Sequence, residues 1–547
     1  MSAGPKPILL CVAAAALLAL VIALFASHPL REPVLGQLFG LTHLRMAKLS
    51  RMVSSPALQE NGAQEPLFPD VFGGHDVTAD FKGGFYDKSL RVTLAGAKPE
   101  RIHYTLDGST PTARSLAYRE PIHIERTTAL RFARFSADLR PGPIESHTYI
   151  VGESFGLPVL SLVIDPVFLW NRYSGIYLNA LEGGVNWRRP AQVEYLKGRD
   201  STPLRFPVEL KMHGNWSRSV EKKSFQLRYA TDAVRAGERN MILGPASDKI
   251  SYRSVVLRAA AIDISYRLGD ELFRSLYADA GGLVSRATPV LLLINGKHWG
   301  LYNLHEKIDR AYLKRMNGVD AYDLVDNAGY RETTDSSSWN RMLDFFITED
   351  LTHDEKFHKA TELIDIENLT DYWLFNIYGG NFDWPQSNYF AFRRRAEGER
   401  WRWISWDADA AFNLEKGLRH DTLSWATRGE LRHDLSYGGT DSDQESWLVS
   451  TAIMRAVLRN RNYQVRFARR FCTLHDSHFR PDRLLPRFDR IVDRITPHLT
   501  VDWARWRGSK QAYLGGVQGV RRFIAERPAI VLKQFQERFG FTECRAV

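Results

Sequence analysis

Cysteine is nearly absent: the 547-residue chain has three, Cys11, Cys472 and Cys544. That excludes a disulfide scaffold and a cysteine-built zinc site. Cys11 lies in an apolar stretch, so only Cys472 and Cys544 are candidates to pair, and the sequence does not decide whether they do. The sixteen histidines show no evident pair at metal-ligand spacing. There is no G-x-S-x-G elbow, no H-E-x-x-H helix and no Walker loop, which removes three familiar catalytic chemistries. No dense Lys/Arg run interleaved with aromatics occurs either, so no nucleic-acid partner is expected. The 73 basic and 63 acidic residues give a net charge of +10, which permits an anionic partner without demanding one. With 44% hydrophobic and 25% charged residues the composition is globular, and the length predicts two to four domains.

What is present starts with Ile8–Ala26, 19 nearly unbroken apolar positions. Such a run is just long enough to span a bilayer as a helix. The residues around Phe25 make a poor signal-cleavage site, which favours an uncleaved anchor within residues 1–30, followed by a juxtamembrane linker over 31–75. Topology signals conflict. Arg31, Arg45, Lys48 and Arg51 after the span favour a cytoplasmic body. Large C-terminal domains behind a single N-terminal span are, however, commonly exported, and the balance falls on a periplasmic or extracellular body.

Residues 76–152 change to short alternating runs. Ser89–Leu94, Arg101–Leu106, His123–Ser136 and Ser146–Val151 are expected strands, separated by turn-rich segments such as the one opening with Asp107-Gly108. Regularly spaced short strands predict a small all-β sandwich. The stretch Tyr104-Thr105-Leu106-Asp107-Gly108-Ser109-Thr110-Pro111-Thr112, with Tyr118, Pro121-Ile122 and Thr127–Arg131, resembles the chitobiase/β-hexosaminidase C-terminal module. That resemblance implies an Ig-like accessory domain, of a kind found mostly on exported proteins, acting as a structural spacer or a glycan binder.

Residues 153–547 are long, mixed and not repetitive. Gly156–Ile164, Pro203–Gly214, Lys222–Tyr229 and Thr288–Gly296 read as strands. Ser254–Tyr277 has helical spacing, with Val255, Leu257, Ile262, Tyr266, Leu272, Phe273 and Leu276 on one broad face. Asn368–Tyr378 is an expected helix leading into a loop. Asn388–Arg395 and Arg400–Asp407 are expected strands, and the C-terminal part is helical. Strands first and helices later is an α+β order, which predicts two lobes with a cleft between them.

The chemistry concentrates between Asn381 and Asp409. Asp383 and Asn388 stand five residues apart in a loop after a helix, and Asp407-Ala408-Asp409 follows two strands later. Phosphoryl transfer needs a carboxylate to orient the acceptor hydroxyl and hard oxygen ligands to hold Mg²⁺ against the phosphates. Protein kinases place an Asp, an Asn and a metal-binding Asp in this layout. On a continued strand, Asp407 and Asp409 would face the same side. Two departures are visible: Asn381-Phe382 replaces His-Arg before Asp383, leaving the usual backbone-fixing role unfilled, and Ala408 replaces Phe-Gly. Trp384, Trp401, Trp403 and Trp406 cluster nearby. Alternation of Trp401 and Trp403 with Arg400 and Arg402 suits a strand with a core face better than a sugar-stacking surface.

The surroundings resemble the spore-coat CotH kinase family, an atypical protein-kinase-like group. The resemblance runs colinearly over about residues 155–535. It rests on Leu157–Leu162, Ser174-Gly175-Ile176-Tyr177, Asn186–Pro190 with Glu194, Lys211–Arg218, Lys222-Lys223-Ser224-Phe225, Gly296–Tyr302 with Glu306–Asp309, Asn388 with Asp407 and Asp409, and Phe523–Leu532 with Arg527. It implies a kinase-like two-lobed fold and an ATP-dependent phosphotransferase using Mg²⁺ or Mn²⁺. Asp383 would be the acceptor-side catalytic residue. Asn388 and Asp407 would bind metal, with Asp409 supporting. Lys223 would contact phosphate, with Lys222 as its close rival. Ser217 in the His213-Gly214-Asn215 turn would close over the phosphates. The glutamate partner of the lysine would be Glu271 or Glu306. The acceptor would be a protein Ser/Thr hydroxyl, with a glycan or small molecule as the other option. The alternative class is a non-catalytic envelope protein whose β module binds glycan and whose large domain docks a partner.

Overall fold

Alternating burial sorts the strands into two β bodies. The computed structural model describes residues 76–97, 101–214, 216–229, 243, 253–259, 268–317, 321–326, 337–428 and 441–544. The run Ile8–Ala26 and the linker to residue 75 lie outside the described residues. Among the described residues, no helix is long and apolar enough to cross a membrane.

The first body comprises β1 (Val77–Ala79), β2 (Gly84–Tyr86), β3 (Leu90–Val92), β4 (Leu94–Gly96), β5 (Ile102–Thr105), β6 (Leu116–Ala117), β7 (Ile122–Ile124), β8 (Thr128–Arg134) and β9 (Glu145–Val151). A sheet ordered β2-β9-β8-β5-β6 accompanies the ladders β1-β4 and β3-β7. Ile102, Leu130, Phe132 and Tyr149 from the sheet close one core with Val77, Val92 and Ile124 from the ladders. This is the sandwich-like body that the alternation predicts.

The second body contains β10 (Val159–Val163), the short α1 (Pro166–Trp170), β11 (Arg189–Leu196), β12 (Leu204–His213), β13 (Ser224–Tyr229), β14 (Ser254–Arg258), α2 (Leu268–Asp279), β15 (Ala287–Ile294) and β16 (Lys297–Glu306). Its strands close into a barrel in the order β10-β11-β12-β13-β14-β16-β15. Leu162, Val193, Phe206, Val208, Leu227, Leu257 and Leu304 help fill its interior. The outer residues Val159, Leu291, Leu293 and Leu301 join a separate core with Leu272, Phe273 and Leu276 of α2. Burial on both faces explains why Val290–Ile294 is an unbroken apolar run. The helix expected over Ser254–Tyr277 is corrected: Ser254–Arg258 is a strand, Leu268–Asp279 is a helix, and residues 260–267 lie outside the described residues.

The remainder holds α3 (Arg310–Asn317), β17 (Tyr322–Asp326), α4 (Ser337–Thr348), α5 (Asp354–Leu363), α6 (Ile366–Tyr378), β18 (Tyr389–Arg394), β19 (Arg402–Ser405), α7 (Thr422–Thr427), α8 (Asp441–Val457), α9 (Arg461–Ser477), α10 (Pro481–Ile495), α11 (Leu499–Trp506) and α12 (Lys510–Phe539). Strands β17-β18-β19 form a small sheet. Asp365 caps α6 by accepting from the Asn368 N–H, and Asn460 caps α9 through the Tyr463 N–H. Trp384, Trp401 and Trp403 are buried, so the tryptophans clustered near Asp407, Trp406 apart, are core. Cys472 and Cys544 form a disulfide, which ties α9 to the segment after α12.

Buried ions join these bodies. The Glu194 carboxylate on β11 accepts the Thr148 N–H of β9 at 2.5 Å and pairs with Arg205 of β12, which also reaches the Gly83 carbonyl. On the other side, Lys222 and Asp502 of α11 form an ion pair with both side chains 8% exposed. Lys222 also donates to the Leu301 carbonyl at 2.9 Å, and Asp502 accepts the Leu301 N–H at 2.8 Å. Gly300, at φ +108°, is required there, because a Cβ would collide with the Asp502 carboxylate. Asp502→Ala should therefore strand a buried ammonium and destabilise the protein by about 3–5 kcal/mol, read as a lower denaturant midpoint. An unchanged midpoint would show that the pair contributes nothing.

Candidate active site

The antiparallel hairpin β18-β19 sets the site. Its register pairs Tyr389 with Ser405. Asn388, just before β18, and Asp407, just after β19, therefore emerge at the same end. Both have left-handed backbones, at φ 62° and 56°. Asn and Asp tolerate this region better than other side chains. Asp407 and Asp409 do not continue the strand, which ends at Ser405, so strand alternation is not what brings them to one side.

Asp383 arrives from α6. The Asn388 Nδ2 donates to its Oδ2 at 2.8 Å and to its carbonyl at 3.1 Å. Ser387 Oγ donates to the same carbonyl at 3.2 Å. Burial lifts the Asp383 carboxyl to about 6; the Asn388 hydrogen bond opposes this and the Asp407 charge adds to it. An aspartate held there is ionised at neutral pH yet more basic than a free one, which suits a group that accepts a hydroxyl proton.

The backbone-fixing role that looked unfilled belongs to other residues. Asn381, 1% exposed, donates to Asn376 Oδ1 at 2.9 Å, and its own Oδ1 accepts the Asp383 N–H at 3.4 Å. Trp384 donates to the Tyr372 hydroxyl at 2.9 Å, while its carbonyl accepts from Trp425. Behind them lies Arg527 of α12, fully buried and, among the described residues, paired with no carboxylate. It donates to the carbonyls of Ile377 and Tyr378 at the end of α6 and to those of Leu418 and His420. Burial pulls its pKa down to about 10, so it stays charged at neutral pH.

Asp383 and Asn388, held in this way, line a cavity of about 1220 Å³ between barrel and helical lobe. The barrel contributes Lys211, Met212 and Gln226, the turn His213-Gly214 with Ser217 and Arg218, and Arg258. Gly214, at φ +104°, packs under Ser217, whose Oγ occupies the space of a Cβ. The connector after β16 adds Lys307 and Ile308, and the helical lobe adds Asp383, Asn388, Phe390, Trp406, Asp407 and Asp409. A glycine face of α12, with Gly515, Gly516 and Gly519, forms another wall beside Leu414 and Lys416.

Of the residues expected from sequence, Asp383, Asn388, Asp407, Asp409 and Ser217 thus share one cavity. The four other expectations, for Lys222, Lys223, Glu306 and Glu271, are corrected. Lys222 is the ion-pair partner of Asp502 and does not line the cavity. Lys223 donates to the carbonyls of Arg218 and Val220 at 2.7 and 2.6 Å, so it holds the turn together rather than facing the cavity. Glu306, 1% exposed, is engaged bidentately by Arg315 at 2.6 Å and lies outside the cavity. Glu271 pairs with Arg274 one turn along α2.

The sequence reading missed Arg258, which ends β14. Burial works against its charge, but Asp407, Asp270 and Asp409 outweigh that and raise its pKa above the ordinary value. A basic residue closing an apolar run was its signal, concealed by the helical reading of that segment.

Asn388, Asp407 and Asp409 offer only oxygen ligands, the donor set of Mg²⁺ or Mn²⁺. Their chemistry fits such an ion, although Asp383, Asp407 and Asp409 do not form a group within 4.8 Å of one another; Arg258 pairs with Asp407 and lies 3.8 Å from Asp409. Among the described residues, the group that does meet that distance is His475, Asp476 and Cys544, and its cysteine is committed to the disulfide.

A family model described as CotH kinase protein matches residues 210–531. One described as chitobiase/beta-hexosaminidase C-terminal domain matches residues 81–145. No curated protein matches the chain. Arg527→Met should remove four hydrogen bonds to buried carbonyls, of which those of Ile377 and His420 keep Gly380 and Gln534 as donors, at a cost of about 3 kcal/mol or more, and hydrogen exchange should speed up at residues 376–384 and 418–421 together. Faster exchange in only one segment would show that the arginine does not couple them.

Proposed function

The chain belongs to the CotH kinase protein family, and from that membership and the cavity chemistry we propose an ATP-dependent phosphotransferase acting on a hydroxyl. The observation that carries this reading is the convergence of Asp383, Asn388 and Asp407 on one cavity, through the end of α6 and the β18-β19 hairpin. Asp383 orients the acceptor hydroxyl and takes its proton, with Asn388 holding the carboxylate in place. The turn at His213-Gly214 and Ser217 closes over the phosphates. Asn388, Asp407 and Asp409 are the residues that would hold Mg²⁺ or Mn²⁺, an ion that supplies neutralisation of the charge building up on the transferring phosphoryl group. The remaining catalytic work is positioning and exclusion of water, which the cleft walls provide.

The proposed acceptor is a protein Ser or Thr side chain. A glycan or small-molecule hydroxyl is the other chemistry that Asp383 could serve. The proposed location is a body outside the cytoplasm, anchored through Ile8–Ala26. The Cys472–Cys544 disulfide supports it, since such bonds persist in oxidising compartments.

The test is transfer of radiolabelled phosphate from ATP by the full-length protein in detergent with Mn²⁺, using protein and glycan acceptors in separate arms. Asp383→Asn is expected to cut transfer about 10²- to 10⁴-fold. Asp407→Ala is expected to remove metal-dependent nucleotide binding measured by calorimetry. Nucleotide binding that is equal in wild type and Asp407→Ala overturns the metal assignment. No nucleotide binding by either protein favours the non-catalytic docking reading.

A further inference from the structure

Both lysines that the sequence offers for a phosphate hold structure together elsewhere. The cavity wall nevertheless carries a buried cation at the end of β14. Arg258 pairs with Asp407, lies 3.8 Å from Asp409 and stands 3.7 Å from Asp270. Its guanidinium carbon is 5.3 Å from the centre of the Trp406 ring. The side chain is 12% exposed, and among the described residues its Nη1 has no hydrogen-bond acceptor. Asp270 is buried in the first turn of α2, and its Oδ1 accepts the Ala408 N–H at 3.0 Å. One carboxylate therefore contacts both the arginine and the backbone between Asp407 and Asp409.

This arrangement has two chemical consequences. A guanidinium has five N–H donors in a planar fork, which matches two phosphate oxygens as well as a carboxylate. A buried donor without an acceptor is costly, and a phosphate would satisfy Nη1. Moreover, Asp270, Asp407 and Asp409 bring three carboxylates to this guanidinium, a set of oxygens that a divalent cation also suits. Asp407 cannot give its oxygens fully to Arg258 and to such an ion at once.

On the phosphotransfer reading above, we propose that Arg258 is the phosphate-binding cation of this cleft and also the counter-ion that guards its metal site. Asp407 and Asp409 serve two positive partners in turn. When nucleotide and cation enter together, Arg258 releases these carboxylates and turns its fork to a phosphate oxygen. Asp270 and the face of Trp406 keep it in the wall during that exchange. The device makes metal binding weak without nucleotide and strong with it, because only the nucleotide gives Arg258 a replacement anion.

The test uses the full-length protein in detergent, with Mn²⁺ binding followed by electron paramagnetic resonance and ADP binding by calorimetry. Arg258→Gln is expected to bind Mn²⁺ alone about tenfold more tightly and Mn²⁺–ADP about tenfold or more weakly, the scale of one charged hydrogen bond. Opposite changes of this kind do not arise from partial unfolding. Should the glutamine variant fail to fold, Arg258→Lys decides: it keeps the charge against the carboxylates but loses the fork. Its Mn²⁺ affinity should stay within about twofold of wild type, while Mn²⁺–ADP affinity falls at least about threefold. Unchanged Mn²⁺–ADP affinity in the folded variant overturns the phosphate role. Arg258→Gln with unaltered affinity for Mn²⁺ alone overturns the guarding role. Either result leaves the phosphotransfer reading standing if wild type binds Mn²⁺–ADP, whereas a wild type that binds none brings down both.

Discussion

The geometry of the cleft depends on a buried positive charge whose hydrogen bonds go to backbone carbonyls. Arg527 sits inside α12 with all its bonds to backbone carbonyls, two at the end of α6 and two after the segment that follows Asp409. A helix C-terminus carries partial negative charge, so the guanidinium complements that of α6 while satisfying carbonyls the helix leaves open. Each charged hydrogen bond contributes on the order of 1.5–3 kcal/mol against a desolvation cost of several kcal/mol. The net gain in stability is consequently smaller than the gain in definition. Two chain segments remote in sequence acquire a common origin, and Asp383 on one is held against Asp407 beyond the other.

The same device recurs at the joints between the bodies. Lys222 links the barrel to α11, and Glu194 links it to the β module through Thr148 and Arg205. Such groups are expensive to bury and cannot trade partners, so they fix position where apolar packing alone would allow sliding. The β module is thereby set against the barrel wall instead of hanging from a linker, and both fall within the unit Leu67–Val547.

How much was legible in sequence follows from the range of each interaction. Asp383, Asn388, Asp407 and Asp409 could be found because the hairpin that unites them is local, and its two strands alternate clearly. The module's strands were legible for the same reason. Lys222 and Lys223 were misassigned because a lysine's role is decided by what faces it, and Asp502 stands 280 residues from Lys222. Arg258 was hidden by its setting. Val255 and Leu257 fit a helical face as well as a buried strand, and a short strand buried on both sides has no period of its own to declare. Asn381 was read as a loss because the expected His-Arg was missing, although a buried amide can fix a loop equally well.

The barrel adds a last constraint. Closure removes free edges from the small lobe, so its strands cannot slide on one another as those of an open sheet can. Arg258 and Lys211 are accordingly carried on a rigid wall, while Asp407 and Asp409 follow β19 in a turn tied to α2 through Asp270. Adjustment within the cleft then falls to side chains, not to strand register. An arginine has the length and the free rotamers to move between two anions under those conditions. A fixed wall, a movable fork and a pinned turn are together sufficient for carboxylates that must meet a guanidinium and a metal at different moments.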